Sequence, residues 1–172
     1  MKPIIFLEID GVLTTQKGTD EAMKRLGDMF DTNGIEHFCP KSIEILNKIT
    51  NATGADIVII SNWKNAMTIE KMRELFNNRK ITGNIIGYTP ISGINPTRDI
   101  EMWMKKNGRP KSYVIIDDEN EMSSVTEVFP EDRFVGTQFT HGIAHKTCYK
   151  RSINYLNRLE RIKIEEPIKN LF

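Results

Sequence analysis

Short apolar runs alternate with longer amphipathic stretches along this chain. Residues 3–9 (PIIFLEI) and 56–60 (DIVII) read as buried strands, and 84–87 (NIIG) as a weaker third. Residues 112–116 (SYVII) make a strong fourth and 133–137 (RFVGT) a fifth. Apolar positions follow one another in these runs with little polar alternation, the mark of parallel strands covered on both faces. The intervening stretches carry helical spacing instead. In 40–53, Ile43, Leu46 and Ile49 recur at three-residue steps before Gly54 stops the helix. Residues 63–77 set Met67, Met72, Leu75 and Phe76 toward one side, and 97–107 groups Ile100, Trp103 and Met104 ahead of Gly108. A last helix over 146–161 turns Ile153, Leu156 and Leu159 inward. Trp63, Trp103 and the methionines at 67, 72, 102 and 104 are expected as packing residues. The alternation predicts an α/β fold, a doubly wound parallel sheet with right-handed crossovers.

Such folds bind ligands at the carboxyl ends of their strands. Those ends read Glu8-Ile9-Asp10-Gly11, Ser61-Asn62 and Asp117-Asp118-Glu119. Glu8 and Asp10 are two apart in an extended segment, so both project from one face while Ile9 points into the core. Gly11 allows a tight backbone exit and the close approach of a ligand. With Asp117 leaving a neighbouring strand, three carboxylates are expected to converge, and their mutual repulsion calls for a cation. Magnesium, with its preference for oxygen ligands, is the natural candidate, and Ser61 can donate to an oxyanion from the opposite side. A phosphate ester held by Mg²⁺ suits such a site. Taken singly, E-x-D or D-D after a strand is most often a turn or a helix cap. Their joint occurrence, in this order and each after an apolar strand, reverses those odds.

Composition narrows the setting without changing this picture. The chain has 172 residues, 24 Lys and Arg against 23 Asp and Glu, and a formal net charge of +1. That length suits a single domain over 1–172, and balanced charge excludes a wholesale basic coat for nucleic acid. No apolar run approaches a membrane span, and acidic residues interrupt the first apolar stretch, unlike a secretory signal. Cys39 and Cys148 are far apart with no metal-like spacing, and read as free thiols in a reducing cytoplasm.

The motifs resemble those of the haloacid dehalogenase (HAD) superfamily. F-L-E-I-D-G-V-L is similar to its first motif, Ser61 after IVII to its second, and Asp117-Asp118 after YVII to its acidic fourth. I-S-N-W-K, T-P-I with R-D-I-E-M-W-M, and Y-V-I-I-D-D look most like the HAD domains of Swiss-army-knife RNA-repair proteins. The stretch 135–143, ending in H-G-I, is similar to the segment that follows the fourth motif there. The resemblance implies a Rossmann-like fold and a Mg²⁺-dependent phosphomonoesterase. Position 8 would be the nucleophile and Asp10 the acid and base. Asp117 would hold Mg²⁺ with the position-8 carboxylate and the Asp10 carbonyl, and Asp118 would stand in the metal shell. Gly11, Ser61 and Asn62 would meet the phosphoryl group. For the third motif's phosphate-neutralising cation, Arg98 at a helix start is the first choice and Lys64 the second.

The sequence departs from the family at one place: Glu8 stands where the nucleophilic aspartate belongs. Glutamate remains a carboxylate, but one extra methylene moves the attacking oxygen by roughly an ångström, and such misplacements cost about 10²-fold. Two readings stand: a substitution introduced to hold a substrate complex intact, and a natural phosphatase relative that binds a phosphorylated ligand without turnover.

Between Asp10 and Ser61 there is room for a small flap over 14–38 but not for a full cap. An open site suits a bulky substrate, such as a nucleotide or the phosphorylated end of a nucleic acid. Lys17, Lys24 and Arg25 in this segment mix with Asp20, Glu21, Asp28 and Asp31, which reads as a solvated helix. Residues 138–172 are modestly basic, most simply an exposed helix face. His141 and His145 read as loop and cap residues.

Overall fold

The computed structural model describes residues 2–93 and 95–157. Five parallel strands form one sheet, β1 (Ile4–Leu7), β2 (Asp56–Ile59), β3 (Ile85–Tyr88), β4 (Tyr113–Asp118) and β5 (Phe134–Thr137), in the order β3-β2-β1-β4-β5. The chain runs from β1 out to β3, then crosses to β4 on the other side of β1. The switch point therefore lies between β1 and β4, where Ile4 pairs with Tyr113 and Leu7 with Ile116.

Two apolar layers cover the sheet, and the alternation within each strand decides which residue joins which. Ile5, Leu7, Ile57, Ile59, Val114 and Ile116 face a core with Leu46 and Ile49 of α2 (Pro40–Thr53), Met72, Leu75 and Phe76 of α3 (Ile69–Asn78), and Cys148 and Leu156 of α6 (Lys146–Leu156). Ile4, Phe6, Val58, Tyr113 and Ile115 face the other, with Ile100, Trp103 and Met104 of α4 (Pro96–Asn107) and Val125 of α5 (Met122–Thr126). Phe6 meets the Trp103 ring edge-on at 5.3 Å. The doubly covered parallel sheet is the predicted one.

One expected element is divided. The helix predicted over 63–77 is divided into a 3₁₀ turn, Asn62–Asn65, and α3. Ser61 caps the first by accepting from the Trp63 N–H, and Thr68 caps the second by accepting from the Lys71 N–H. Trp63 accordingly sits on a turn. The segment 14–38 holds α1 (Gln16–Leu26), capped by Thr15 and closed by Gly27, then a tight hairpin in which Phe30 and Glu36 pair. Cys39 and Cys148 are both buried and free. The predicted end of the last helix and residues 158–172 of the basic C-terminal stretch lie outside the described residues. Among the described residues no helix is long and apolar enough to cross a membrane.

Candidate active site

At the end of β1 the chain turns sharply over 9–14. The N–H groups of Val12, Leu13 and Thr14 all point at the Ile9 carbonyl (3.2, 2.8 and 3.1 Å), and Gly11 N–H donates to the Thr14 carbonyl at 3.0 Å. Gly11 has φ +73°, and a Cβ there would press on Asp118 Oδ2 at 3.1 Å. The segment after β5 clamps this turn from outside. Ile143 N–H donates to the Val12 carbonyl, and Gly142, at φ +56°, lies so close that a Cβ would run into that same carbonyl. Thr137 Oγ1 bonds the Gly11 and Asp117 carbonyls, at 2.8 and 3.2 Å, and ties β1, β4 and β5 together at their carboxyl ends.

The acidic side chains differ in what holds them. Glu8 Oε1 accepts from the N–H of Ile9 at 2.9 Å, and Glu8 also accepts from the Ser61 hydroxyl. Burial raises its carboxyl above the ordinary range, while the Ser61 and Ile9 hydrogen bonds oppose the rise. Asp117 is buried between β1 and β5. Its Oδ1 accepts from the Asp118 N–H at 2.7 Å, and its Oδ2 is buried without a hydrogen-bond partner. Burial first, then the negative charges of Glu8, Glu121 and Asp118, push this carboxyl up to about 8. Asp118 caps the next turn by accepting from the Asn120 N–H. Asp10 is exposed, accepting from Thr14 Oγ1 at 3.1 Å and from the Trp63 indole N–H on both oxygens.

A cleft of about 300 Å³ opens over these groups, lined by Glu8, Asp10, Gly11, Asn62, Asp117 and Asp118 together with Pro96, Glu121 and Phe139. Ser61 lies fully buried behind it against Glu8. Neither basic candidate is among the lining residues. The Arg98 side chain is exposed and paired with Glu101 at 3.2 Å. Lys64 is buried, and its ammonium meets Asp99 Oδ2 (2.6 Å), Thr89 Oγ1 (2.8 Å) and the Pro90 carbonyl (3.0 Å). An ammonium has three donors, so all of them are taken by these acceptors. Lys64 thus braces the Ser61 turn against α4.

Sequence reasoning missed several residues of this constellation. Trp63 read as packing, yet its indole N–H aims Asp10, and no local pattern signals a contact across 53 positions. Glu121 lies four residues past Asp117, and that acid at one-turn spacing was the available sign. Phe139 on the cleft wall left none.

The donor set fits a hard divalent cation. Among the described residues, five carboxylates and no basic side chain line the cleft, and one buried Asp117 oxygen has no partner. Among the described residues, no three His, Cys, Asp or Glu side chains are close enough to hold a metal by themselves. That differs from the convergence of three side chains expected from sequence, because Asp10 is held by Trp63 and Thr14. Glu8 and Asp117 would hold such an ion with a main-chain oxygen and water, and magnesium characteristically keeps several waters.

The family model for the HAD domain in Swiss Army Knife RNA repair proteins matches residues 4–148, from β1 into α6. The chain belongs to this family. No curated protein and no solved structure matches it. Every cleft residue of this HAD domain falls inside the matched span, and membership implies phosphatase- or hydrolase-type chemistry.

Proposed function

We propose that this HAD domain is a Mg²⁺-dependent phosphomonoester hydrolase for nucleotides or phosphorylated nucleic-acid ends, with its turnover slowed by Glu8. The observation that carries the reading is the buried Asp117 oxygen, unpartnered among the described residues, in a cleft that they line with carboxylates and no basic side chain. A dianionic phosphate entering that cleft needs a cation with it. Magnesium, held by Glu8, Asp117 and the Asp10 carbonyl with Asp118 in its outer shell, would neutralise phosphoryl charge.

The chain's own groups then divide the work. The Glu8 carboxylate attacks phosphorus and the bond to the leaving oxygen breaks, which leaves an acyl-phosphate on Glu8. Asp10 gives its proton to the departing oxygen, then takes one from the water that attacks phosphorus and releases inorganic phosphate. Asn62 borders the phosphoryl oxygens, Ser61 steadies the Glu8 carboxylate from behind, and Trp63 and Thr14 fix the Asp10 carboxylate for both transfers.

One observation supports a second reading, a turnover-deficient domain that binds a phosphorylated ligand. The Glu8 carboxylate is folded back on the N–H of its own neighbour, Ile9. The test is Mg²⁺-dependent phosphate release from mononucleotides and from 3′- and 5′-phosphorylated oligonucleotides, by this chain and by Glu8→Asp. The hydrolase reading expects the variant to be faster by about 10²-fold or more. Release by neither protein from any substrate sinks it in favour of the second reading.

A further inference from the structure

Asp10 stands on the boundary between two clefts. On one side lie Glu8 and Asp117. On the other is a second cleft of about 430 Å³, bordered by the same Asp10 and Asn62 and walled by Phe30, Ile35, Trp63 and Met67. Its walls come from two distant pieces of chain, and the hairpin side is firmly held. Phe30 pairs with Glu36, and Asp31 Oδ1 accepts from the N–H groups of Asn33 and Ile35 at 2.8 and 3.1 Å. Asp31 Oδ2 is also ion-paired with Arg79 of the α3 C-terminal cap at 2.8 Å. Across the cleft, the Trp63 ring rests on Phe38 with centroids 5.9 Å apart while its N–H holds Asp10.

We propose that this second cleft receives the leaving group of the phosphoester, and that the leaving group is a nucleoside whose base lies on the Phe30, Ile35, Trp63 and Met67 wall. This rests on the hydrolase reading, in which Asp10 protonates the oxygen that departs from phosphorus. The group serving both partners must touch both, so the leaving group lies on the far side of Asp10 from the phosphate cleft. When the phosphorus–oxygen bond breaks, the Asp10 proton moves to that oxygen and a neutral nucleoside is left in the second cleft.

The lining chemistry selects the class of leaving group. Among the described residues, the charged ones on this cleft are Asp10 and Glu36, both acidic. A second phosphate would be repelled there, and a small polyol would find mostly carbon. A flat heteroaromatic ring gains apolar contact and stacking, which is worth about 1–3 kcal/mol per base. Glu36, whose Oε1 accepts from Thr19 Oγ1 at 2.9 Å, complements the amino-bearing edge of such a ring.

Two measurements on the full chain test this. In methyl NMR, adenosine without phosphate is added to this chain and to Ala66→Trp, which would fill the cleft. The Met67 and Ile35 methyl resonances are expected to shift in the first protein only, and glycerol should move neither. Separately, the ratio of kcat/KM for adenosine monophosphate over glycerol phosphate is compared between Glu8→Asp and Glu8→Asp with Phe30→Ala. Loss of the aromatic wall should lower this ratio about tenfold. Unmoved methyls, or a ratio that Phe30→Ala leaves unchanged, overturns the proposal. No phosphate release by Glu8→Asp from any substrate, with Met67 still answering adenosine, sinks the hydrolase reading and retains the ring site as a ligand pocket.

Discussion

The indole N–H of Trp63 donates to both carboxylate oxygens of Asp10, at 3.1 and 3.0 Å. The contact joins the turn after β2 to the turn after β1. It orients an exposed acid at the mouth of the cleft. Hydrogen bonds to charged groups contribute about 1.5–3 kcal/mol. Trp63→Phe keeps a ring against Phe38 and removes the donor. In the Glu8→Asp background we expect kcat to fall about tenfold or more with little change in thermal midpoint. An unchanged kcat would reduce Trp63 to a wall of the second cleft.

Asp117 makes the metal-free protein sensitive to pH in a definite direction. Its folded-state carboxyl is raised to about 8 from an ordinary 3.8, so the folded chain holds this proton more tightly than the unfolded chain. The associated stability is complete below the unfolded value and is lost as pH rises through about 8. Asp117→Asn should therefore melt above the parent at pH 8 without metal, by roughly 3 °C or more, and the gap should close near pH 4. Mg²⁺ should raise the parent's midpoint and leave the variant's in place. Equal melting of the two proteins at pH 8 would contradict the buried, unpartnered carboxylate.

The Lys64–Asp99 pair is buried, with side-chain exposures of 3% and 9%. Removing one partner of such a pair strands the other and costs about 3–5 kcal/mol. Lys64→Met is expected to show that loss in urea unfolding, and adding Asp99→Asn should restore much of it. A Lys64→Met protein of parental stability that nonetheless loses phosphate affinity would put the amine on the substrate instead.

Gly142 clamps the turn that carries Asp10. Alanine there is strained by the φ of +56° and drives a methyl into the Val12 carbonyl. We expect Gly142→Ala to cost about 1–3 kcal/mol in unfolding free energy and to lower turnover of the Glu8→Asp protein. Gly87, with open space around its Cβ position, is the control, and alanine there should cost less. Equal costs at the two positions would show that the clamp does not constrain the turn.

Much of this protein was legible in one dimension because its signals are local. Unbroken runs such as IIFL and YVII require a sheet covered on both faces, and the structure has that sheet. A period of two puts Glu8 and Asp10 on the side opposite Ile9, and both line the cleft while Ile9 is fully buried. Asp117 and Asp118 leave the strand beside β1, so motif order along the chain became proximity through parallel pairing. The division of 63–77 at Thr68 was less visible, because a capping hydroxyl competes with an otherwise continuous apolar spacing.

Only tertiary structure decided what each polar group does. The sequence offers Arg98 as the first choice of cation and Lys64 as the second. Packing leaves one in solvent beside Glu101 and surrounds the other with three acceptors from the 89–99 region. Trp63 has the composition of a core residue, and its chemical role arises where two turns meet. The second cleft likewise lies between a hairpin that Arg79 braces through Asp31 and the turn that carries Trp63. Periodicity reports which face a residue turns to the core, a property of its own strand or helix. Hydrogen bonding and charge depend on partners tens of positions away, and only the folded chain chooses them.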